Sequence, residues 1–509
     1  MPIFSVERID EKKPELFIGL VAAVGTPLGN ICRKITDEFR RRGYSCKEFR
    51  LSQFLEGYEL PTPLPESPAS NYEETKIKMD RGNELRNMCG GGDALALITA
   101  ANIYDMRPTE EPRIMPGQAF LLNQLKHPDE AYCFRKIYGA SFHLIGVYCQ
   151  ESIRLQHLKN RGMDEREARD LITRDEEEID PLGQHLRDTF YLADVFVEAG
   201  LGGNADGKLE EQLRRYFKLL FGEEIVTPTP DECGMHLAYS ASLRSSDLSR
   251  QVGAAVLNPE NEVISLGTNE VPSPEGGQYW GDVESDYRDF KKGYDSNARM
   301  KIDVLKEILE VVDEHYKGLS SAEKGSYIDS MVERLGQTRL MNLTEFGRSV
   351  HAEMEAIICA GRNGVPVRGS TLYTTTFPCH NCAKHIINAG IKRVVYIEPY
   401  PKSLAKELHD DAMTVCESDS DDIKVRFEPF VGIGPRIYRT MFSILQFDGS
   451  RVKRKEKSGN ISTSPHGLRN TLVHCTYLDL ESAAAIQAKD MAPNESERKD
   501  ENGSNNSSA

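Results

Sequence analysis

The sequence has no apolar run long enough to cross a bilayer. Its longest, LFIGLVAAVG at residues 16–25, falls well short of the roughly 20 residues that a spanning helix needs. Signal-peptide order is also missing from the first residues. Acidic and basic side chains precede that run and no small-residue cleavage site follows it, so the expected location is the cytoplasm, with no membrane partner. Nor is there a basic excess: 63 Lys and Arg stand against 79 Asp and Glu, a formal net charge of −16. An acidic chain is a poor general ligand for a nucleic-acid backbone, which needs a positive field, although a local basic pocket still suits a small anion. The 11 cysteines form no disulfide framework; they are scattered singly, except for Cys379 and Cys382. There is one tryptophan, Trp280, and no internal repeat.

What is present is enough chain, at 509 residues, for two to four domains. Residues 15–52 read as strand, loop, helix, strand. The apolar run at 16–24 suits a buried parallel strand, and Ile31, Ile35 and Phe39 recur at helical spacing before Gly43. After a proline-rich loop at 59–69, residues 71–107 are expected to be helical with a break at Gly90–Gly92. Strands are expected at 117–125, 141–150 and 193–200, and helices at 129–139, 152–180 and 208–222. This alternation predicts an α/β domain over residues 1–222, with 223–232 as the hinge out of it. A second domain is expected over 223–449. It reads as a helix from 232, paired strands at 251–258 and 262–269, a Gly/Pro/Asp-rich stretch at 270–297 and charged helices over 298–336. A helix from 351, a strand at 370–376, a helix at 379–389, a strand at 392–398, a helix near 402–413 and a strand at 423–430 complete it. Composition predicts a mostly disordered tail over 450–509, in which TLVHCTYLDL (471–480) is apolar enough to dock.

Two short stretches carry chemistry. HAEMEAI at 351–357 and PCHNCAKHI at 378–386 hold one histidine, one glutamate and two cysteines, with 28 positions from His351 to Cys379. Zinc takes imidazole and thiolate, and a catalytic site uses three protein ligands, leaving the fourth position to water. His351, Cys379 and Cys382 supply that count. The cysteines open a helix, whose dipole favours thiolate, and Pro378 suits the turn into it. Zinc lowers the pKa of bound water to about 7. Glu353 is placed to shuttle a proton from that water to a ring nitrogen and then to a leaving amine. H-x-E with P-C-x-x-C is the signature of zinc nucleobase deaminases. The competing reading is a closed structural zinc site, with His380, His385 or Cys359 as the nearest fourth ligand.

Around these residues the chain resembles the deoxycytidylate deaminase family. RSSDLSRQVGAAVL (244–257), GTN (267–269), VHAEMEAI (350–357) and LYTTTFPCHNCAKHIINAGIKRVVY (372–396) follow its order and spacing. With NQLKHPDEAYCFRKIYGASFHLIGVY (123–148) and LLFGEEIVTPTPDECGMHLAYSASLRSSDLSRQVGAAV (219–256), it looks like the two-domain anti-phage dCTP deaminases of bacteria. The resemblance implies an α/β fold: an N-terminal P-loop kinase-like parallel-sheet domain and a C-terminal cytidine-deaminase-like α/β/α domain. It implies Zn2+ on His351, Cys379 and Cys382, and Glu353 as the catalytic proton shuttle. The implied reaction is hydrolytic deamination of dCTP, and of dCMP, to deoxyuridine nucleotides and ammonia, depleting dCTP against phage. A homo-oligomer, a regulatory deoxynucleotide and a regulatory RNA are the implied partners. By motif position, Asn269 contacts sugar or base, and Arg250, Lys402 and Ser403 contact phosphate. The other readings are a turn asparagine and ordinary surface residues.

One loop departs from that pattern. In VGTPLGN (24–30), Gly25, Thr26, Gly29 and Asn30 are the nucleotide-binding candidates of a degenerate P-loop. Three residues separate the two glycines, Asn30 stands where Lys is expected, and Ile31 stands where Ser or Thr would reach magnesium. No kinase or ATPase activity is expected, while amides at the helix start still suit a phosphate. Arg161, Arg166, Arg169 and Arg174 read either as a kinase-like lid or as a solvated face. Residues 298–349 read either as an oligomer interface or as a cover for the site. Two other function classes stand beside the deaminase. A single-stranded nucleic-acid cytosine deaminase needs a basic, aromatic groove, against the net charge. A non-catalytic nucleotide sensor with structural zinc has no use for Glu353.

Overall fold

The computed structural model describes residues 13–491, apart from 66, 111–112, 177–181, 201–202, 282–284, 337, 339, 342, 344, 398–402, 417–422, 447–448, 450, 463–467 and 469–475. They form two compact units, and the second is inserted in the chain of the first. The first unit takes the chain up to Glu232 and again from Pro429 on; the second takes Cys233–Ile397 and continues to Glu428.

The first unit begins with β1 (Leu16–Ala22), α1 (Leu28–Arg41) and β2 (Ser45–Arg50). β1 is buried along its whole length, as an unbroken apolar run in a parallel sheet should be. α2 (Asn71–Cys89) is capped by the Ser70 hydroxyl, which accepts from Glu73 N, and stops at Gly90 in the left-handed region. α3 (Ala94–Asp105), β3 (Gln118–Asn123), α4 (Pro128–Tyr138) and β4 (Phe142–Cys149) follow. Then come α5 (Glu151–Asn160), α6 (Glu165–Glu176), α7 (Leu186–Tyr191), β5 (Val195–Ala199) and α8 (Gly203–Leu220). The strands lie in the order β5-β4-β1-β3-β2, all parallel. β3 therefore sits between β1 and β2, and the opening strand–helix–strand crosses over a strand.

α9 (Pro230–Ser242) leads into the second unit, where β6 (Gly253–Leu257) and β7 (Val263–Thr268) form the expected antiparallel pair. α10 (Asp289–Lys292), α11 (Ser296–Val312), α12 (Glu314–Lys317) and α13 (Ser321–Leu335) carry the charged stretch. The last three of these bury a small core of their own around Leu305, Leu309, Tyr316 and Ile328. α14 (Ala352–Arg362), β8 (Thr371–Thr374), α15 (His380–Asn388) and β9 (Arg393–Tyr396) come next. α16 (Ala405–Leu408), β10 (Met413–Val415) and β11 (Val425–Pro429) end the unit. Its sheet runs β10-β11-β9-β8-β6-β7. The helix expected near 402–413 is shorter than that. Met413, Thr414 and Val415 instead pair in parallel with Val425, Arg426 and Phe427, in keeping with the β preference of Thr and Val.

From there the chain returns to the first unit. β12 (Gly432–Ile433) adds antiparallel to β5, and α17 (Tyr438–Phe442) follows. Ile433, Met441 and Leu468 join the first unit's core. α18 (Thr476–Asp490), in the region expected to be mostly disordered, is a helix packed along α3. Its Ala484, Ala485 and Ala488 are buried, and small side chains allow close helix approach. It also completes a buried ionic cluster. The Arg107 guanidinium meets Glu481 at 2.8 Å and Glu15 at 2.8 Å, and the Tyr477 hydroxyl donates to Glu15. Composition alone does not reveal these partners, because they are 92 and 374 residues from Arg107.

Among the described residues no helix is long and apolar enough to cross a membrane.

Candidate active site

Four side chains in the second unit converge from the starts of two helices. His351 is the N-cap of α14, in extended conformation, and Glu353 lies in that helix's first turn. Cys379 is the N-cap of α15, where its sulfur accepts the backbone N–H of Cys382. α14 packs against both α15 and β7. The approach to β7 depends on Gly267: a Cβ there would stand 2.0 Å from the Ala352 carbonyl oxygen and 2.5 Å from Ala356 N. Backbone meets backbone, so the start of α14 is seated directly on the strand.

His351 Nδ1 lies 3.3 Å from Cys382 Sγ and 3.4 Å from Cys379 Sγ, and the three donor atoms are all within 4.8 Å of one another. With bonds of about 2.0–2.3 Å, donors that share one tetrahedral ion stand roughly 3.6 Å apart, so the set fits zinc. Among the described residues this group has three members. Of the alternative fourth ligands, His380 faces Glu345 at 3.4 Å, and the Cys359 sulfur accepts from Asn363.

The electrostatics follow from the same geometry. Hydrogen bonding from Cys382, reinforced by His351, lowers the Cys379 thiol to about 4. Bonding to Cys379 raises the His351 imidazole to about 9. Cys382 is pushed well up, by its bond to Cys379 and by burial. Glu353 is 3% exposed, and its Oε2 lies 3.3 Å from Cys382 Sγ. Burial, then the charge on Cys379, raises its carboxyl above the usual range. The shift is in the direction that general acid–base work by a carboxyl requires.

The loops around the group are tied to one another. The Asn269 amide is committed on both sides: its Oδ1 accepts Val252 N–H at 2.7 Å and its Nδ2 donates to the Arg250 carbonyl at 2.8 Å. This is the turn-holding role, and it leaves one N–H and one lone pair of the amide. The Arg250 side chain is exposed. The Ser403 hydroxyl accepts from Ala405 N at 3.1 Å at the start of α16, while Lys402 lies outside the described residues. Of the first-unit candidates, Gly25 and Thr26 line a cavity, whereas Asn30 donates to Asp206 and a Cβ on Gly29 would meet nothing.

Two acids escaped the sequence reading. Asp247 accepts Ser249 N–H and the Ser349 hydroxyl, which ties the 245–250 turn to the segment entering His351. The S-S-D-x-S pattern was its visible signal. Glu270, 1% exposed, accepts from Ser246 and Val271 and faces Arg288. Nothing local distinguishes it from a solvated glutamate. Arg244 was missed too: it donates to Gln278 and lies 3.8 Å from the ring centre of exposed Trp280.

Comparison with known proteins places this group. The family model for the cytidine and deoxycytidylate deaminase zinc-binding region matches residues 228–398. The deoxycytidylate deaminase of Enterobacteria phage T2 is 30% identical over 171 residues, covering 33% of this chain and 80% of the phage protein. That of Enterobacteria phage T4 is 31% identical over 169 residues, covering 33% and 78%. Among solved structures, the dCMP deaminase from the cyanophage S-TIM5 in complex with dCMP and dUMP is 18% identical. The match covers 40% of this chain and 99% of that one, with a TM-score of 0.23.

Proposed function

Because the chain belongs to the deoxycytidylate deaminase family, we propose that it hydrolyses the exocyclic amine of deoxycytidine nucleotides, dCTP as well as dCMP, giving the deoxyuridine nucleotide and ammonia. The carrying observation is the buried Glu353 carboxyl beside the His351, Cys379 and Cys382 donors. Those three residues would hold zinc, which as a Lewis acid would bring the ionisation of water down toward neutral pH. Glu353 takes one proton from the attacking water and gives it to the ring nitrogen. It then delivers the second to the departing nitrogen as the C–N bond breaks, so that water and cytosine become uracil and ammonia. Its position out of solvent keeps that proton from exchanging away.

Substrate contacts are assigned by motif position. The remaining N–H of Asn269 reaches the sugar, and Arg250, Lys402 and Ser403 meet phosphate. Draining dCTP in this way starves a replicating phage, which is the physiological role proposed. The chain is also proposed to assemble with copies of itself. Ile308, Val311 and Val312 on α11 are exposed at 41%, 74% and 69%, and apolar exposure on one helix face suits such an interface.

The test is purified, zinc-loaded protein with dCTP, dCMP, CTP, cytidine and a cytosine-containing single strand, following ammonia and the uracil product. Product from the deoxynucleotides alone supports the proposal. Product from the strand alone replaces it with nucleic-acid editing. No product from any of them, with zinc needed for stability, points to the sensor reading.

A further inference from the structure

The first unit holds a cavity of about 170 Å³ that the deamination reading does not use. It opens past the carboxyl ends of β1, β2 and β3, the edge at which open α/β sheets receive ligands. Five side-chain cations line it: Arg50 ends β2, Lys78 and Arg86 lie in α2, Lys126 follows β3 and Arg161 follows α5, and of these Arg86 is paired with buried Glu130. In a chain of net charge −16, that concentration is local. The Arg50 guanidinium has no hydrogen-bond or ion-pair partner among the described residues, and Arg161 donates only to an uncharged amide, that of Asn71 at 3.3 Å. Leu55, Met79 and Leu95 give the same cavity an apolar side.

A carboxylate already stands where an anion would. Asp175, fully buried, accepts Val24 N–H at 2.6 Å and Lys126 Nζ at 2.7 Å. A strand-end N–H and a lysine are the two donor types that phosphate oxygens take. Glu74 is the other acid on the wall, and it pairs with Lys78.

We propose that this cavity binds a phosphate ester of mononucleotide size, its phosphate held by Arg50, Lys78 and Arg161 and its uncharged part laid on Leu55 and Met79. Asp175 and Glu74 are internal competitors that weaken the site. Of the glycine loop, Gly25 and Thr26 line the cavity, whereas Gly29 and Asn30 do not, and Asn30 is tied to Asp206. Without a loop lysine or a magnesium-binding hydroxyl, the site binds and does not transfer phosphate.

The test is calorimetric titration of the full zinc-loaded chain with dTMP, which has no exocyclic amine to lose, and separately with inorganic phosphate. One first-unit site for dTMP is expected. Its Kd should rise at least tenfold in Arg50→Ala and again in Lys78→Ala, and fall several-fold in Glu74→Gln and Asp175→Asn. Glu74 is partly exposed, so Glu74→Gln carries the test should Asp175→Asn fail to fold. Absence of saturable dTMP binding, or a Kd unmoved by Arg50→Ala and Lys78→Ala, overturns the proposal. Inorganic phosphate binding as tightly as dTMP overturns the mononucleotide part. None of these readouts needs deaminase turnover, so the two proposals fail separately.

Discussion

Both units place a candidate site where strands give way to helices, and they furnish it differently. In the second unit two helix starts bring three soft or borderline donors within 4.8 Å, with a buried carboxyl beside them. In the first, the turn after β1 offers backbone N–H groups, and the cations around it are spread over β2, α2 and the segments after β3 and α5. Amides at such a junction favour negative charge in either case. What separates a reacting site from a holding site is the side-chain set: thiolates and imidazole fix a metal, whereas scattered guanidinium and ammonium groups fix only an anion.

The contrast is sharpest at Glu353. Glu353→Ala should lower kcat/KM for the deoxynucleotide by about 10²–10⁴-fold with zinc content unchanged by metal analysis. Zinc lost along with activity would make Glu353 part of the metal's support and blur the distinction. The first unit's counterpart is structural. Glu481→Gln removes one of two carboxylates from the buried Arg107 and should cost about 3–5 kcal/mol in thermal or denaturant unfolding, while zinc stays bound. A loss below about 1 kcal/mol would show that Glu15 alone satisfies the guanidinium.

The glycines divide the same way. Gly267→Ala forces β7 and α14 apart and should cost about 1–3 kcal/mol, with kcat falling more than KM moves, because α14 carries Glu353. Gly29→Ala has open space around it and should be neutral or stabilising by up to about 1 kcal/mol; equal penalties at both positions would break the comparison. The smallest expected effect is that of His143, buried on β4, where burial holds the imidazole below 6.5. The unfolded chain then takes up a proton that the folded one refuses. Stability is therefore complete above about pH 6.5 and is lost as pH falls toward the folded value. His143→Leu should flatten the first unit's unfolding midpoint between pH 7 and 5.5, and an unchanged slope would assign it to other groups.

The donor set was legible because two short motifs each carry their geometry locally: a cap residue and the next turn of one helix. The parallel strands were legible for a similar reason, since β1 is an unbroken apolar run and β4 is interrupted near its start only by His143. Asp247 announced itself only as turn chemistry, and Glu270 not at all, because its burial comes from Arg288 and Ser246 folding over it. The same holds for α18. Its alanines and Glu481 acquire meaning only against α3 and Arg107, hundreds of residues earlier. Asn269 was read both as a ligand contact and as a turn residue, and its bonds to Arg250 and Val252 realise the second.

The return of the chain at Pro429 has a consequence for synthesis. A ribosome releases residues in order, and the whole of the second unit precedes Ile433, Tyr477 and Glu481. His351, Cys379 and Cys382 are therefore all outside the exit tunnel while β5 still lacks β12 and Arg107 still lacks Glu481. A chain released early, near residue 430, would carry all three donor residues while lacking both β12 and Glu481.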